Sequence, residues 1–183
     1  FAQQDKKWSV EANYPISIGD DLGNDTPGII DLGIKYRFLD LSFAKIGIGF
    51  NAGVFTNEVR SFDNVAGETE SFNIDETNWI FSPKFFSEFK ILGAERLRPS
   101  IGLGYSIVSS KFEGQSFGVP ISSSDSNGGL NLNIGLSYDI TKRIFVQAQY
   151  DYIRNIFEVQ AFPGTNEVKQ NLGFLKLGLG FRF

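Results

Sequence analysis

The segment 176–183 constrains the fold of this chain more than any other part of the sequence. It reads Lys-Leu-Gly-Leu-Gly-Phe-Arg-Phe, so that apolar residues alternate with polar or small ones up to Phe183. Alternation with a period of two is typical of a β-strand that has one apolar face. Aromatic residues at the end of such a strand are unusual in a soluble protein, because chain ends fray in water. The segment therefore predicts a strand outside the ordinary soluble class.

Seven further segments show the same alternation, which gives about eight strands in all. Most of them approach the ~9–11 residues that a tilted strand needs to cross a bilayer. No stretch comes near the ~20 apolar residues of a membrane-spanning helix, and the mean hydropathy is −0.11. Insertion into a membrane would therefore rely on strands. The alternating segments are 8–18, 30–38, 44–54, 79–91, 97–107, 130–140, 144–152 and 175–183.

The connections between these strands are long and short in turn. Long polar segments cover 19–28, 56–76, 109–128 and 157–169, whereas the short joints are 39–40, 92–96 and 141–143. Outer-membrane barrels have short periplasmic turns, longer extracellular loops and an even number of strands. We therefore predict an all-β fold, an eight-stranded antiparallel transmembrane β-barrel over residues 8–183. Residues 1–7 form an N-terminal segment that is either the remnant of a signal peptide or the mature N-terminus.

A soluble eight-stranded barrel is the alternative fold, and it would turn the apolar face inward. The polar face of the predicted strands is rich in glycine, for example at 47, 49, 102, 104, 178 and 180. Glycine weakens a strand exposed to water, but in a narrow barrel it makes room for long side chains of neighbouring strands. Two aromatic belts on the apolar face also fit the interfacial girdles of membrane barrels. They comprise Trp8, Phe38, Phe89, Phe181 and Phe183 near the turns, and Tyr14, Phe50, Trp79, Tyr105 and Tyr150 towards the loops. Pro83 lies mid-strand on that face and is expected to mark a bulge.

The final strand resembles the C-terminal assembly signal of bacterial outer-membrane barrels, with Lys176, Gly178, Phe181 and Phe183 at the matching positions. Residues 8–183 as a whole resemble small barrels of the OmpA/OmpX-like superfamily, above all the single-barrel porin-family proteins common in Bacteroidetes. The resemblance implies a multi-pass protein in the outer membrane of a Gram-negative bacterium. Its expected partners are outer-membrane lipid, lipopolysaccharide, the barrel-assembly machinery during insertion, and other outer-membrane proteins in a stable complex. No nucleic-acid partner is expected.

Thirteen charged residues are predicted to face the lumen. They can be interpreted as an ion path or as a network of ion pairs that plugs the barrel. Eight strands enclose a space only just wide enough for their own side chains, and buried charges require partners. A plugged lumen is therefore favoured over conduction. The residues are Glu11, Asp31, Lys35, Arg37, Lys45, Lys84, Glu88, Lys90, Arg98, Asp139, Asp151, Lys176 and Arg182.

The chain contains neither histidine nor cysteine. Barrels of this class that are enzymes use, by resemblance, a histidine in their mechanism, and no carboxylate pair here stands out as a replacement. Soft ligands for a tight transition-metal site are also missing. We therefore expect no catalytic residues, no cofactor and no metal.

The predicted loops hold thirteen acidic and only three basic residues, and they carry aromatic residues as well. Such aromatics either contact a partner or pack against one another. The candidates are Phe62, Phe72, Phe117 and Phe162. The sequence as a whole favours a structural or interaction protein, such as an accessory subunit of an outer-membrane complex. A narrow pore or a conduit for apolar molecules is the alternative.

Overall fold

Eight β-strands follow one another along the chain. The structure is a computed structural model that describes residues 6–18, 28–65, 68–116, 119–161 and 164–183, with the backbone alone for 57–65, 68–72, 116, 156–161 and 164–168. None of the described residues forms a helix long and apolar enough to cross a membrane. The strands are β1 (Trp8–Ile18), β2 (Gly28–Asp40), β3 (Ala44–Val65), β4 (Glu68–Phe89), β5 (Leu97–Ser116), β6 (Val119–Asp139), β7 (Ile144–Ala161) and β8 (Gly164–Arg182).

The strands close into one antiparallel barrel in which each pairs with its neighbours in sequence. Closure is made by β1 and β8, whose ladder runs from Ser9 opposite Arg182 to Ile18 opposite Gly173. Beyond this ladder, Trp8 and Phe183 exchange two backbone hydrogen bonds of 3.0 and 3.2 Å. The predicted eight-stranded transmembrane barrel is thereby confirmed. Its short turns face the periplasm, and its longer hairpins face outward.

The strand faces divide as the alternation predicts. Apolar side chains cover the outside of the barrel, and all ten aromatic residues of the two predicted belts are exposed there. Polar and charged side chains fill much of the inside. Backbone hydrogen bonds between neighbouring strands satisfy the amides, which a bilayer cannot do. Lipid therefore takes the place that a hydrophobic core has in a soluble protein.

Two inward-facing glycines show why the polar face is rich in this residue. A Cβ atom added to Gly180 would lie 2.0 Å from the ring of Phe145, its partner residue on the neighbouring strand β7. A Cβ added to Gly47 would lie 2.7 Å from the ring of Phe86 and 2.2 Å from a backbone oxygen. Both aromatic rings are almost fully buried inside the barrel. The glycines therefore provide the space that large inward side chains of neighbouring strands occupy.

The extent of the loops was predicted wrongly. Most of the residues assigned to three long loops continue the strands, so that β3 and β4 pair as far as Val65 opposite Glu68. The same holds for β5 with β6, up to Ser116 opposite Val119, and for β7 with β8, up to Ala161 opposite Gly164. Where the side chains are described, as in residues 119–126 of β6, both faces of the strand are exposed, which fits a position beyond the membrane. An apolar face is not needed there, so the alternation stops although the ladder continues.

The expected bulge at Pro83 is also wrong. Pro83 pairs with Phe50 in an unshifted β3–β4 ladder. On its other side the β4–β5 pairing stops at Phe81 opposite Ile107 and resumes at Lys84 opposite Gly104, in the same register. Proline lacks the amide hydrogen that the ladder needs. The ladder is interrupted there, but equal numbers of residues on both strands are left unpaired.

Candidate functional site

A four-charge cluster lies at the centre of the lumen. The Lys176 ammonium is 2.6 Å from Asp31 Oδ2 and 2.7 Å from Asp151 Oδ2, and Lys84 is 3.6 Å from Asp151 Oδ1. All four side chains are nearly inaccessible to solvent. A side-chain amide provides a further hydrogen bond to the cluster, since Asn133 donates to Asp151 over 2.6 Å. Two cations and two anions make the cluster neutral, which is the condition for burying charge.

A second cluster surrounds Glu11, which is almost fully buried on β1. Lys35 of β2 forms an ion pair with it at 2.7 Å. From β7, the side-chain amides of Gln147 and Gln149 donate to the same carboxylate over 2.9 and 3.0 Å. Lys35 also lies over the ring of Phe86, 5.6 Å from its centroid. This cluster links β1 to β2 and, across the lumen, to β7.

The third cluster lies at the periplasmic end of the lumen and contains three arginines and two carboxylates. Glu88 is 2.8 Å from Arg37, 3.3 Å from Arg98 and 3.8 Å from Arg182. Asp139 pairs with Arg98 at 2.8 Å and also with Arg182. The cluster joins strands β2, β4, β5, β6 and β8. It has an excess of one positive charge.

Two predicted lumen residues belong to a different group at the periplasmic edge. Lys90 follows the end of β4, is about one-third exposed, and donates to Asp40 over 2.5 Å and to Leu41 O over 2.7 Å. Lys45 pairs with the same Asp40 at 3.1 Å. Lys90 therefore does not lie in the lumen, because its strand has already ended. Asp40, the shared partner, was not predicted as a site residue.

An apolar layer lies in the lumen on the extracellular side of the charges, and the alternation pattern did not predict it. Phe55 and Phe174 pack with ring centroids 4.7 Å apart. The other members come from β4, β5, β7 and β8. Their position on the inward face follows from strand parity, which was the available signal: Phe174 lies two residues from Lys176. The buried cluster consists of Phe55, Ile80, Val108, Ile153, Leu172 and Phe174.

The lumen opens at its periplasmic end into a cavity of about 1250 Å³, which we call the periplasmic vestibule. Its floor is the arginine-rich third cluster, and its rim comprises the N-terminal segment and the β4–β5 and β6–β7 turns. Nine basic and three acidic side chains line it. The lining residues are Lys6, Lys7, Trp8, Tyr36, Arg37, Lys45, Glu88, Glu95, Arg96, Arg98, Asp139, Ile140, Thr141, Lys142, Arg143, Arg182 and Phe183.

The four residues of the predicted assembly signal occupy the end of the closing strand. Lys176 points into the lumen, and Phe181 and Phe183 stack on the outer surface with centroids 6.3 Å apart. Gly178 lies against Asn13 of β1, where a Cβ atom would be 2.2 Å from Asn13 Oδ1. The predicted contact residues of the loops cannot be placed in this way: Phe117 and Phe162 lie outside the described residues, as do the side chains of Phe62 and Phe72.

The arrangement of charges is suited to holding strands together and to binding anions at the mouth. Every carboxylate in the three lumen clusters accepts from a cation or an amide. Within the described part of the chain, histidine, cysteine and acidic side chains form no group of three that could hold a metal ion.

Comparison with known proteins identifies the family. The model of the outer membrane protein beta-barrel domain matches residues 1–183, and the chain therefore belongs to this family. It is an outer-membrane protein of a Gram-negative bacterium and lies in contact with the lipids of that membrane. A search of curated proteins found no match.

Several solved structures share the fold. The attachment invasion locus protein Ail of Yersinia pestis, crystallised with the heparin analogue sucrose octasulfate, is 20% identical, with a TM-score of 0.61 over 97% of this chain and 98% of that one. Neisserial surface protein A is 16% identical, with a TM-score of 0.55 over 96% of both chains. The N-terminal barrel domain of OprF from Pseudomonas aeruginosa is 17% identical, with a TM-score of 0.51 over 97% and 98%. At these identities the similarity shows the fold alone.

Proposed function

We propose that this barrel is a non-catalytic interaction protein of the outer membrane and serves as an accessory subunit of a larger outer-membrane complex. The observation that supports this proposal is the filling of the lumen. Three clusters of paired charges and an apolar layer occupy the interior. A barrel whose interior serves its own stability has its outer wall and its two ends available for function.

The chemistry of the chain also argues against catalysis. Neither histidine nor cysteine is present, and the inward carboxylates are held by ion pairs and amides. A general acid or base needs a proton-accepting group within reach of a substrate. Carboxylates that are buried and fully paired do not meet this requirement. The partners of the proposed role are other outer-membrane proteins, lipopolysaccharide and, during insertion, the barrel-assembly machinery.

The proposal is tested by isolating the tagged protein from native outer membranes in a mild detergent. A native gel and mass spectrometry of the eluate should show a defined complex larger than the 20.4 kDa chain, with a stoichiometric partner. The same extraction in a dissociating detergent is the control and should release the chain alone. Recovery of a lone barrel in the mild detergent would refute the accessory role.

A narrow pore is the second candidate, and the periplasmic vestibule favours it, because it leads into the lumen from one side. Beyond the charge clusters a polar layer continues inward, where Ser82 and Ser106 hydroxyls lie 2.6 Å apart and Asn131 donates to Ser106. Planar-bilayer recordings of the purified protein decide between the two. Stable unitary openings would support the pore, whereas a silent bilayer supports the filled lumen.

A further inference from the structure

The periplasmic vestibule carries more positive charge than its own carboxylates neutralise. Of its twelve charged side chains nine are basic, and two of the three acids, Glu88 and Asp139, are already shared among arginines of the floor. A concave site lined by one sign of charge concentrates the electrostatic potential and attracts counter-ions. The vestibule therefore has a net positive charge.

The cations that account for the excess lie on the rim. Lys7, Arg96, Lys142 and Arg143 are exposed, and none forms an ion pair with a carboxylate of the described residues. They come from three separate parts of the chain, namely the segment before β1 and the β4–β5 and β6–β7 turns. Since these parts meet only at the mouth of the closed barrel, folding itself collects the charges there.

Lys6 reports on the potential at this rim. Its ammonium donates to the backbone oxygen of Lys142. Partial desolvation, followed by the nearby charges of Arg143, Lys142 and Arg182, lowers the pKa of Lys6. Neighbouring cations disfavour a further positive charge, and by the same electrostatics they favour an anion.

The position and size of the vestibule restrict what can occupy it. Its floor consists of Arg37, Arg98 and Arg182, whose side chains project inside the barrel, so a head group in the surrounding lipid leaflet lies on the other side of the wall. A volume of about 1250 Å³ exceeds the few hundred to ~1,000 Å³ of most small-molecule sites. The guanidinium group of arginine can donate two parallel hydrogen bonds to one carboxylate.

We infer that the periplasmic vestibule binds an acidic peptide segment of a periplasmic protein. This inference rests on the proposed role as an interaction protein and adds the chemistry of one partner. The peptide carboxylates pair with the rim cations. The connections at the opposite end of the barrel carry thirteen acidic and three basic residues, and this excess of negative charge repels an acidic peptide.

The test measures peptide binding to the complete chain, refolded in phosphatidylcholine nanodiscs. A fluorescein-labelled oligoglutamate peptide is titrated by anisotropy, with an oligolysine peptide of equal length as the control. Oligoglutamate should bind at low salt and weaken as salt is raised towards 1 M, because the Debye length falls to about 3 Å. The double variant Arg96→Gln/Arg143→Gln should bind about tenfold more weakly.

A matched variant separates this effect from a general loss of charge. Lys111→Gln removes an exposed cation at the extracellular end, where Lys111 pairs with Glu113 at 2.8 Å, and should leave binding unchanged. Heat-modified migration on gels confirms that all variants form closed barrels. Equal affinity of the wild type and the double variant, or equal binding of oligolysine, would overturn the inference.

Two further ligands distinguish other sources of negative charge. Inorganic phosphate should compete only weakly with oligoglutamate for the vestibule. Phosphatidylglycerol, added to the nanodisc lipid, should not occupy the site. If either binds in the vestibule while oligoglutamate does not, the inference is overturned. Its failure also differs from failure of the proposed function. If the wild type does not bind the peptide but the protein is still isolated in a native complex, only the vestibule site is refuted. If the protein is isolated from native membranes as a lone barrel, the interaction role itself is refuted.

Discussion

Replacement of Asp151 by asparagine should destabilise the barrel strongly, because it strands a cation in the lumen. The Lys84 ammonium is inaccessible to solvent, has no hydrogen-bond acceptor among the described residues, and lies 3.6 Å from Asp151. Asparagine has the same shape as aspartate but no charge. The variant would leave Lys176 with Asp31, whereas Lys84 would lose the carboxylate that justifies its burial.

The size of the effect follows from the geometry. At an effective dielectric constant near 20, opposite charges 3.6 Å apart attract by about 5 kcal/mol. Part of this is offset by the desolvation that both ions undergo on burial, and removing one partner of a buried pair typically costs about 3–5 kcal/mol. We expect Asp151→Asn to lower the free energy of unfolding by about that amount.

A second substitution should restore much of the loss. In Asp151→Asn/Lys84→Met the stranded cation is gone, and Asp31 with Lys176 remains as a neutral pair. This double variant should be more stable than Asp151→Asn by about 2 kcal/mol or more. Disrupting the exposed pair of Lys111 and Glu113 serves as the control and should cost less than about 1 kcal/mol.

The assay is equilibrium unfolding in urea of protein refolded into lipid vesicles. The fluorescence of Trp8 and Trp79, both on the lipid-facing surface, reports the transition, and the midpoint and slope give the free energy of unfolding. A value for Asp151→Asn within about 1 kcal/mol of the wild type would refute the reasoning. So would a double variant as unstable as the two single changes added together.

Three other predictions concern assembly, packing and conduction. Deletion of Phe183 should reduce heat-modifiable barrel in outer-membrane fractions while synthesis continues, and normal levels would refute the assembly signal. Gly180→Ala should cost about 1–3 kcal/mol in the urea assay, because the new methyl group meets the Phe145 ring. The double variant Gly180→Ala/Phe145→Leu should recover part of this cost. A free energy of unfolding for Gly180→Ala equal to that of the wild type would contradict the contact between residue 180 and the Phe145 ring. In planar bilayers the wild type should stay silent, whereas Phe55→Ala/Phe174→Ala should show brief openings because it removes two rings from the apolar layer. Steady conductance of the wild type would show that this layer does not block the lumen.

Strand number, strand direction and the sorting of faces could be predicted from the sequence, because a bilayer imposes them locally. Each residue on the lipid side contacts an apolar solvent, so every membrane-spanning segment shows the alternation of apolar and polar residues. The ends of the strands could not be predicted in this way. A strand outside the bilayer needs no apolar face, and the backbone of residues 56–65 and 68–76 pairs in register although their sequence shows no apolar alternation.

The lumen was predictable in its composition but not in its contacts. The charges at Glu11 and Asp151 could be assigned inward by parity, yet their partners come from strands far away in sequence. Glu11 accepts from Gln147, 136 residues further along the chain. Such distances depend on barrel stagger and side-chain conformation, which no local pattern encodes. The inward Phe55 and Phe174 were overlooked for a simpler reason, since the third predicted strand ended at 54 and the last began at 175, one residue short of each.

The way in which β1 meets β8 has a consequence for the kinetics of folding. Every other ladder among the described strands joins consecutive strands, whose hairpins form within microseconds once their turns close. The β1–β8 seam instead pairs Ser9 with Arg182, so nearly the whole chain is its loop and the entropy cost of closure is the largest in the fold. Until it closes, two strand edges present unpaired amides, each costing several kcal/mol in hydrocarbon. The open sheet is therefore the folding intermediate whose strand edges most need to be kept out of hydrocarbon. The rate of seam closure sets how long this protection must last.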